Sequence, residues 1–265
     1  MLKRNWSLVR TPSLLVVLLS LFVYQTAKAA LQEEIETIAA NQDSGRESMV
    51  IFLHGALKTA WSMKRLETAF ADSGYLTYNW DYNSRDFNVI QNAAKLDSII
   101  RDNGYDRYQL NFVTHSMGGI VARYYLSNYH PPHVGRFVMI APPNQGSKIA
   151  TELQDFAPFR WLYKKNVDYL LTGKNAFAPN AGIPNCPFGI IAGGTGGKYG
   201  YTWYLPGDDD TILSVTQTKL PGAKDFILLH HIHATIMLQD DTIRETLYFI
   251  RHGQFNHHIT NTEIE

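Results

Sequence analysis

The chain has 265 residues, 45% hydrophobic, 12% aromatic and 18% charged, with 24 Lys and Arg against 24 Asp and Glu. This composition excludes a disordered tail, a collagen-like chain and a disulfide-dense mini-domain. Only one apolar run approaches spanning length, which excludes a polytopic membrane protein, and the zero net charge gives no general attraction to nucleic acid.

Residues 1–29 read as a secretory signal peptide. Lys3, Arg4 and Arg10 give a positive start, 13–24 (SLLVVLLSLFVY) is the apolar stretch, and Ala27 and Ala29 are the small residues a signal peptidase reads. An uncleaved anchor is the alternative, although the run is short for a span. Cleavage removes four basic and no acidic residues, leaving 20 basic against 24 acidic in 30–265. Export to a periplasm or outside the cell is the expected localisation. Cys186 is the only cysteine, so no internal disulfide can form, and it reads as a small apolar residue more readily than as a nucleophile.

The rest of the chain alternates strand and helix. A short lead-in helix is expected over 30–40. The run 49–53 (MVIFL) reads as a buried parallel strand. A helix follows over 60–71 with Trp61, Leu66 and Phe70 on one side, then a strand over 75–82. The helix expected over 86–102 places Val89, Ile90, Ala93, Leu96 and Ile100 inward, capped at Ser84 or Asp86. Next come a strand over 108–114, a helix over 117–129 ending before Pro131-Pro132, strands over 136–141, 188–192 and 225–229, and a last helix over 234–250. This order implies an α/β fold with a mostly parallel sheet of about six strands and helices on both faces. The chemistry of such sheets gathers at the carboxyl ends of the strands. Residues 30–265 read as a single domain, within which 147–187 mixes aromatic residues with Gly and Pro breaks. That stretch is either a small cap or lid, or a long connection.

The most informative segment is 110–119, LNFVTHSMGG. A strand enters, a sharp turn carries Ser116, and a helix leaves. Such a turn lifts the serine hydroxyl out of the sheet edge. The N–H groups and dipole of the new helix favour negative charge there, and the Met117 N–H is available to a developing oxyanion. Gly118 provides the small neighbour that close packing needs. Thr114 stands where the usual G-x-S-x-G pattern has its first glycine.

With these features the chain resembles the α/β-hydrolase superfamily, in particular bacterial lipases and esterases, over roughly 49–253. Three further segments carry the resemblance: Phe52-Leu53-His54-Gly55-Ala56, like the H-G loop after the first core strand; Pro143-Asn144-Gln145-Gly146-Ser147, like the P-N-x-G-S loop bordering the site; and 207–215 (GDDDTILSV), like the G-D-x-D-G-x-V-x-V segment of the triad acid, with Thr211 replacing a glycine. The resemblance implies that Ala56 and Met117 supply the oxyanion N–H groups and that His54 shapes its loop. By register it makes Asp210 the acid, with Asp208 second, and His233 the base on the loop before the final helix. The order Ser116, Asp210, His233 is that of the fold.

Rival readings remain for several of these residues. Asp208, Asp209 and Asp210 could be a hydrated turn or a weak cation site, and His230, His231 and His233 could be a metal site. The 192–197 glycine cluster lacks the ending of a phosphate loop and reads as a connection. Asn83, Ser84 and Arg85 are expected to line the cleft, whereas His252, His257 and His258 lie in a polar tail. The expected activity is hydrolysis of carboxylic esters through an acyl-enzyme on Ser116, with no cofactor or metal. The expected partner is a small-molecule or lipid ester and not nucleic acid; transient contact with a membrane surface and the oligomeric state stay open. A thioesterase, amidase or acyltransferase on the same scaffold is the alternative, followed by a non-catalytic member that binds a lipid or protein.

Overall fold

The computed structural model describes Gln25, Lys28 and residues 45–257. The backbone divides into two units, Met1–Asp43 and Ser44–Glu265. In the first, Gln25 and Lys28 are helical and exposed; the rest of the leader and the helix expected over 30–40 lie outside the described residues, as does His258. Among the described residues, no helix is long and apolar enough to cross a membrane.

In the second unit, β1 (Ser48–Leu53), β2 (Leu76–Trp80), β3 (Gln109–His115), β4 (Val134–Ile140), β5 (Phe188–Gly193) and β6 (Asp225–Leu229) form one sheet in the order β2-β1-β3-β4-β5-β6. Every neighbouring pair is parallel. The helices are α1 (Lys64–Asp72), α2 (Val89–Asp102), α3 (Met117–Tyr129), α4 (Lys148–Glu152), α5 (Ala157–Tyr163), α6 (Val215–Thr218) and α7 (Asp240–His252). Alternation along β1 sends Met49, Ile51 and Leu53 to the face covered by α2 and α3, where they meet Leu96 and Ile120. Val50 and Phe52 go to the opposite face with Leu66 and Phe70 of α1 and Phe249 of α7. Each fully buried aliphatic or aromatic side chain contributes roughly 1.5–3 kcal/mol, so the two-sided core explains why the strands are continuous apolar runs. The chain winds one way from β1 to β2 and the other way from β3 onward. The reversal leaves a crevice at the carboxyl ends of β1 and β3, the place where such sheets bind ligands.

Some expected boundaries and faces are corrected. Residues 60–63 form a 3-10 turn, which points Trp61 outward (78% exposed) and buries Met63 in its place. Helix α2 starts three residues later than expected. Its cap is Asn88, whose side chain accepts from the Gln91 N–H while the Gln91 side chain accepts from the Asn88 N–H. The buried stripe then runs Val89, Ala93, Leu96, Ile100, and Ile90, about 100° round the helix, faces solvent. The final helix is interrupted: a 3-10 turn at Ile236–Leu238 gives way at the extended Gln239, and α7 begins at Asp240. Asp240 and Asp241 in its first turn suit its positive end. The tail beyond α7 is not purely polar, because Phe255 is buried in the core and His257 donates to Asp225 at the foot of β6 (2.9 Å).

Candidate active site

Ser116 stands between the end of β3 and the first turn of α3 with φ 52° and ψ −125°. A non-glycine residue with positive φ is uncommon and is held only by its surroundings. Here the Ser116 N–H donates to the Ile140 carbonyl (2.9 Å), and the Ser116 carbonyl accepts from Gly119 (2.9 Å). The packing allows no side chain at Gly118, where a Cβ would lie 2.6 Å from the carbonyl oxygens of both Leu53 and His54. The same accounting explains Thr114. Its side chain is buried, and a Cβ at Gly119 would stand 3.3 Å from its Oγ1. The second glycine of the turn thus leaves the room that the missing first glycine would have given.

The hydroxyl of Ser116 donates to His233 Nε2 (3.0 Å), and His233 Nδ1 donates to Asp210 Oδ2 (2.7 Å). Side chains 117 and 23 residues apart in sequence therefore form one hydrogen-bonded row. The other carboxylate oxygen of Asp210 accepts from the N–H groups of Ile212 (3.0 Å) and Leu213 (2.7 Å), and the side chain is fully buried. The loops of Asp210 and His233 are also joined through the main chain, since the His233 N–H donates to the Asp210 carbonyl (2.7 Å).

The three aspartates point to different tasks. Asp208 accepts from the N–H groups of Thr195 (2.7 Å) and Gly196 (2.9 Å), tying down the glycine-rich connection after β5. Asp209 is buried and accepts from Thr202 (3.1 Å) and Thr211 (2.8 Å). Thr211 takes φ 87°, the conformation that a glycine would adopt freely. The histidines diverge likewise: His231 donates to Asp241 (2.8 Å), away from the Ser116 row. Among the described residues, no three His, Cys, Asp or Glu side chains converge as a metal-ligand group.

Gly55 brings the loop after β1 against the nucleophile turn; a Cβ there would lie 3.1 Å from Ser116 Cβ. Ala56 follows it and lines the same cavity as Ser116. Met117 is the first residue of α3, so its N–H is one of the orphan donors of that helix start. His54 is buried, stacked on Tyr82 (4.2 Å), and donates from Nδ1 to the Gly55 carbonyl (2.8 Å). Burial holds its pKa below the ordinary value. His115, which the sequence reading assigned no role, is fully buried beside His233, and its Nε2 donates to the His233 carbonyl (3.1 Å). Burial, reinforced by the nearby His233, pushes its imidazole well below the usual histidine range. Through that hydrogen bond it holds the backbone of the His233 loop. Its adjacency to Ser116 was the signal available in the sequence.

The cavity at Ser116 holds about 230 Å³ and is mostly apolar, with Ala150, Phe159, Tyr163, Leu170 and Leu213 among its walls. Four of these five come from the 147–187 stretch, which contributes α4, α5 and two 3-10 turns to this side of the molecule. Arg123 of α3 anchors that stretch from below. It is fully buried and donates to the carbonyls of Ala178 (2.9 Å) and Gly182 (2.7 Å) and to Asn144 Oδ1 (3.0 Å). Its desolvation pushes the guanidinium pKa down to about 10. No sequence signal distinguishes it from a surface arginine on a helix. Cys186 lies in a separate cavity with Leu126 and His130, and burial pushes its thiol up to about 12, so it is not a thiolate at neutral pH. Asn83, Ser84 and Arg85 line a neighbouring cleft instead of the Ser116 cavity.

Residues 50–223 match the sequence model of the alpha/beta hydrolase family. The chain belongs to that family. Solved structures agree on the fold. A Bacillus licheniformis lipase, BlEst2, is similar in its mature form at a TM-score of 0.54 and 21% identity, over 79% of this chain and 94% of that one. Its propeptide form gives a TM-score of 0.56 and 20% identity, over 72% of this chain but only 47% of that one. The metagenomic carboxyl esterase MGS0156 is similar at a TM-score of 0.53 and 16% identity, over 72% of this chain and 65% of that one. At such identities the likeness concerns the fold. No curated protein sequence matches the chain. The family membership supports a hydrolase; the reaction has to be argued from the residues.

Proposed function

We propose that this alpha/beta hydrolase cleaves carboxylic esters by two-step acyl transfer on Ser116. The observation that carries the reading is the continuous row from the Ser116 hydroxyl through His233 to the buried Asp210 carboxylate. His233 takes the hydroxyl proton as the oxygen attacks the ester carbonyl, and Asp210 holds the imidazole in one tautomer and stabilises the imidazolium. The Ala56 and Met117 N–H groups hold the tetrahedral oxyanion, each contributing on the order of 2.7–4 kcal/mol to lowering the barrier. The alcohol leaves with the proton from His233, and water, activated by the same imidazole, releases the acid.

An apolar cavity beside Ser116 supports an acyl group as the bound half of the substrate. Export of the mature enzyme, with residues 1–29 removed as a signal peptide, and an ester of lipid or small-molecule origin belong to the same proposal. The test is labelling by a fluorophosphonate together with turnover of p-nitrophenyl esters beside matched amides and thioesters. Wild type should be labelled and prefer esters, and Ser116→Ala should lose labelling and at least about 10⁴-fold in kcat. Labelling that survives in Ser116→Ala would move the nucleophile elsewhere.

A further inference from the structure

Next to the Ser116 cavity lies a wider and more polar cleft of about 520 Å³. It is formed by the loop after β1 (Leu57, Lys58, Thr59), the loop after β2 (Asp81 to Arg85) and the exposed end of α5 (Trp161, Leu162). Lys58 belongs to both spaces. Its ammonium donates to the carbonyl of Ala234 (3.1 Å), the residue after His233. The Lys58 ammonium, whose pKa burial lowers, therefore stands beside the His233 loop and borders both spaces. Arg85 is the other cation there. Its guanidinium lies 4.6 Å from the ring centre of Trp161 and donates to the Trp161 carbonyl (3.4 Å), and its buried Nε has no acceptor among the described residues.

Among the described residues, neither Lys58 nor Arg85 forms an ion pair within 4 Å, although the neighbouring Asp86 carboxylate, held by Lys164 and Asn83, interacts electrostatically with Arg85. The one carboxylate lining the cleft is Asp81. It accepts from the Ala60 N–H (2.8 Å) and faces His54 (3.6 Å), which fixes it at one wall. The lining thus carries two cations against one carboxylate, with Asp86 outside it and engaged by Lys164, in a chain whose residues from 30 onward are acidic overall.

We propose that this cleft holds the alcohol half of the substrate and that this half carries an anionic group, a phosphate or carboxylate, seated between Lys58 and Arg85. The inference rests on the ester-hydrolase reading and adds the class of leaving group. The acyl half fills the apolar cavity. As Ser116 Oγ bonds to the acyl carbon, the bond from that carbon to the alcohol oxygen breaks, and His233 passes the serine proton to the departing oxygen. The anionic group itself is not altered. Guanidinium and ammonium donors hold such groups by charge-assisted hydrogen bonds, and the exposed Trp161 ring keeps the Arg85 plane in place.

The test compares two esters with the same short acyl chain, one on glycerol 3-phosphate and one on glycerol, with an ester of glycerate as a third arm that separates phosphate from carboxylate. The full-length protein should favour at least one anionic ester by about tenfold in kcat/KM. That preference should shrink when the ionic strength is raised to about 0.5 M. In Arg85→Gln the ratio of anionic to neutral ester should fall about fivefold, with fluorophosphonate labelling retained to show an intact nucleophile. An anionic ester no better than the neutral one, or a ratio unmoved by Arg85→Gln, would overturn the inference and leave the ester reading standing. Loss of both ester activities with no labelling of wild-type Ser116 would remove the ester reading and the inference together.

Discussion

The carboxylate bonded to His233 has two neighbours of the same type, and their hydrogen bonds differ. Asp210 reaches His233, whereas Asp208 accepts from Thr195 and Gly196 of the connection after β5. Asp210→Asn should present the wrong group to the imidazole and lower kcat by about 10⁴-fold. Asp208→Asn weakens a loop anchor and should cost about 1 kcal/mol of stability, leaving kcat within roughly tenfold of wild type. Kinetics on one ester, with urea unfolding of both variants, checks the pair; a larger kcat loss in Asp208→Asn would exchange the two roles. The Thr114 and Thr211 substitutions against the family pattern also belong to this scale. The first is accommodated by the absent Cβ of Gly119, the second by a positive φ held through the Asp209 side chain.

At the scale of elements, the strand-turn-helix around Ser116 was legible because an apolar run, a small-residue turn and a periodic helix follow one another without interruption. His233 was separable from His230 and His231 only by register, since residue type cannot say which imidazole faces the sheet top. Periodicity misled where the backbone was not α-helical, as at Trp61 in its 3-10 turn. It also could not show what Arg123 does, because an arginine in an amphipathic helix normally faces water. Here Arg123 binds the Gly182 carbonyl and shares the Ala178 carbonyl with the Ala181 N–H of the 3-10 turn at Ala178–Asn180. Arg123→Met should therefore leave the Gly182 carbonyl and Asn144 Oδ1 without this donor and destabilise the protein by about 1–3 kcal/mol. Proteolysis of the variant should cut first within 147–187, which limited digestion and mass spectrometry would reveal. Cleavage elsewhere, or unchanged stability, would contradict the anchoring role.

For the whole molecule, two buried imidazoles, His54 and His115, have pKa values held below the ordinary 6.5 by desolvation. The unfolded chain binds protons at these sites at a higher pH than the folded chain does. Their influence on stability is therefore nil well above pH 6.5, and stability falls as the pH drops below it, by up to about 1.4 kcal/mol per pH unit for each site. Urea unfolding between about pH 8 and pH 5 should show this slope, and His115→Gln, which keeps a donor for the His233 carbonyl, should flatten it by about one proton. An equal slope in the variant would place the proton uptake on other groups.

The main-chain clasp between His233 and Asp210 has a consequence for how the enzyme moves. The loops of His233 and Asp210 are joined by a peptide hydrogen bond as well as by their side chains, so under the proposed mechanism they are expected to move as one piece. Any breathing at the mouth of the enzyme then separates the hydroxyl from an imidazole that is still correctly oriented. On that reading reactivity would be interrupted by opening a single gap and restored by closing it, with no need to rebuild the charge partnership behind the imidazole.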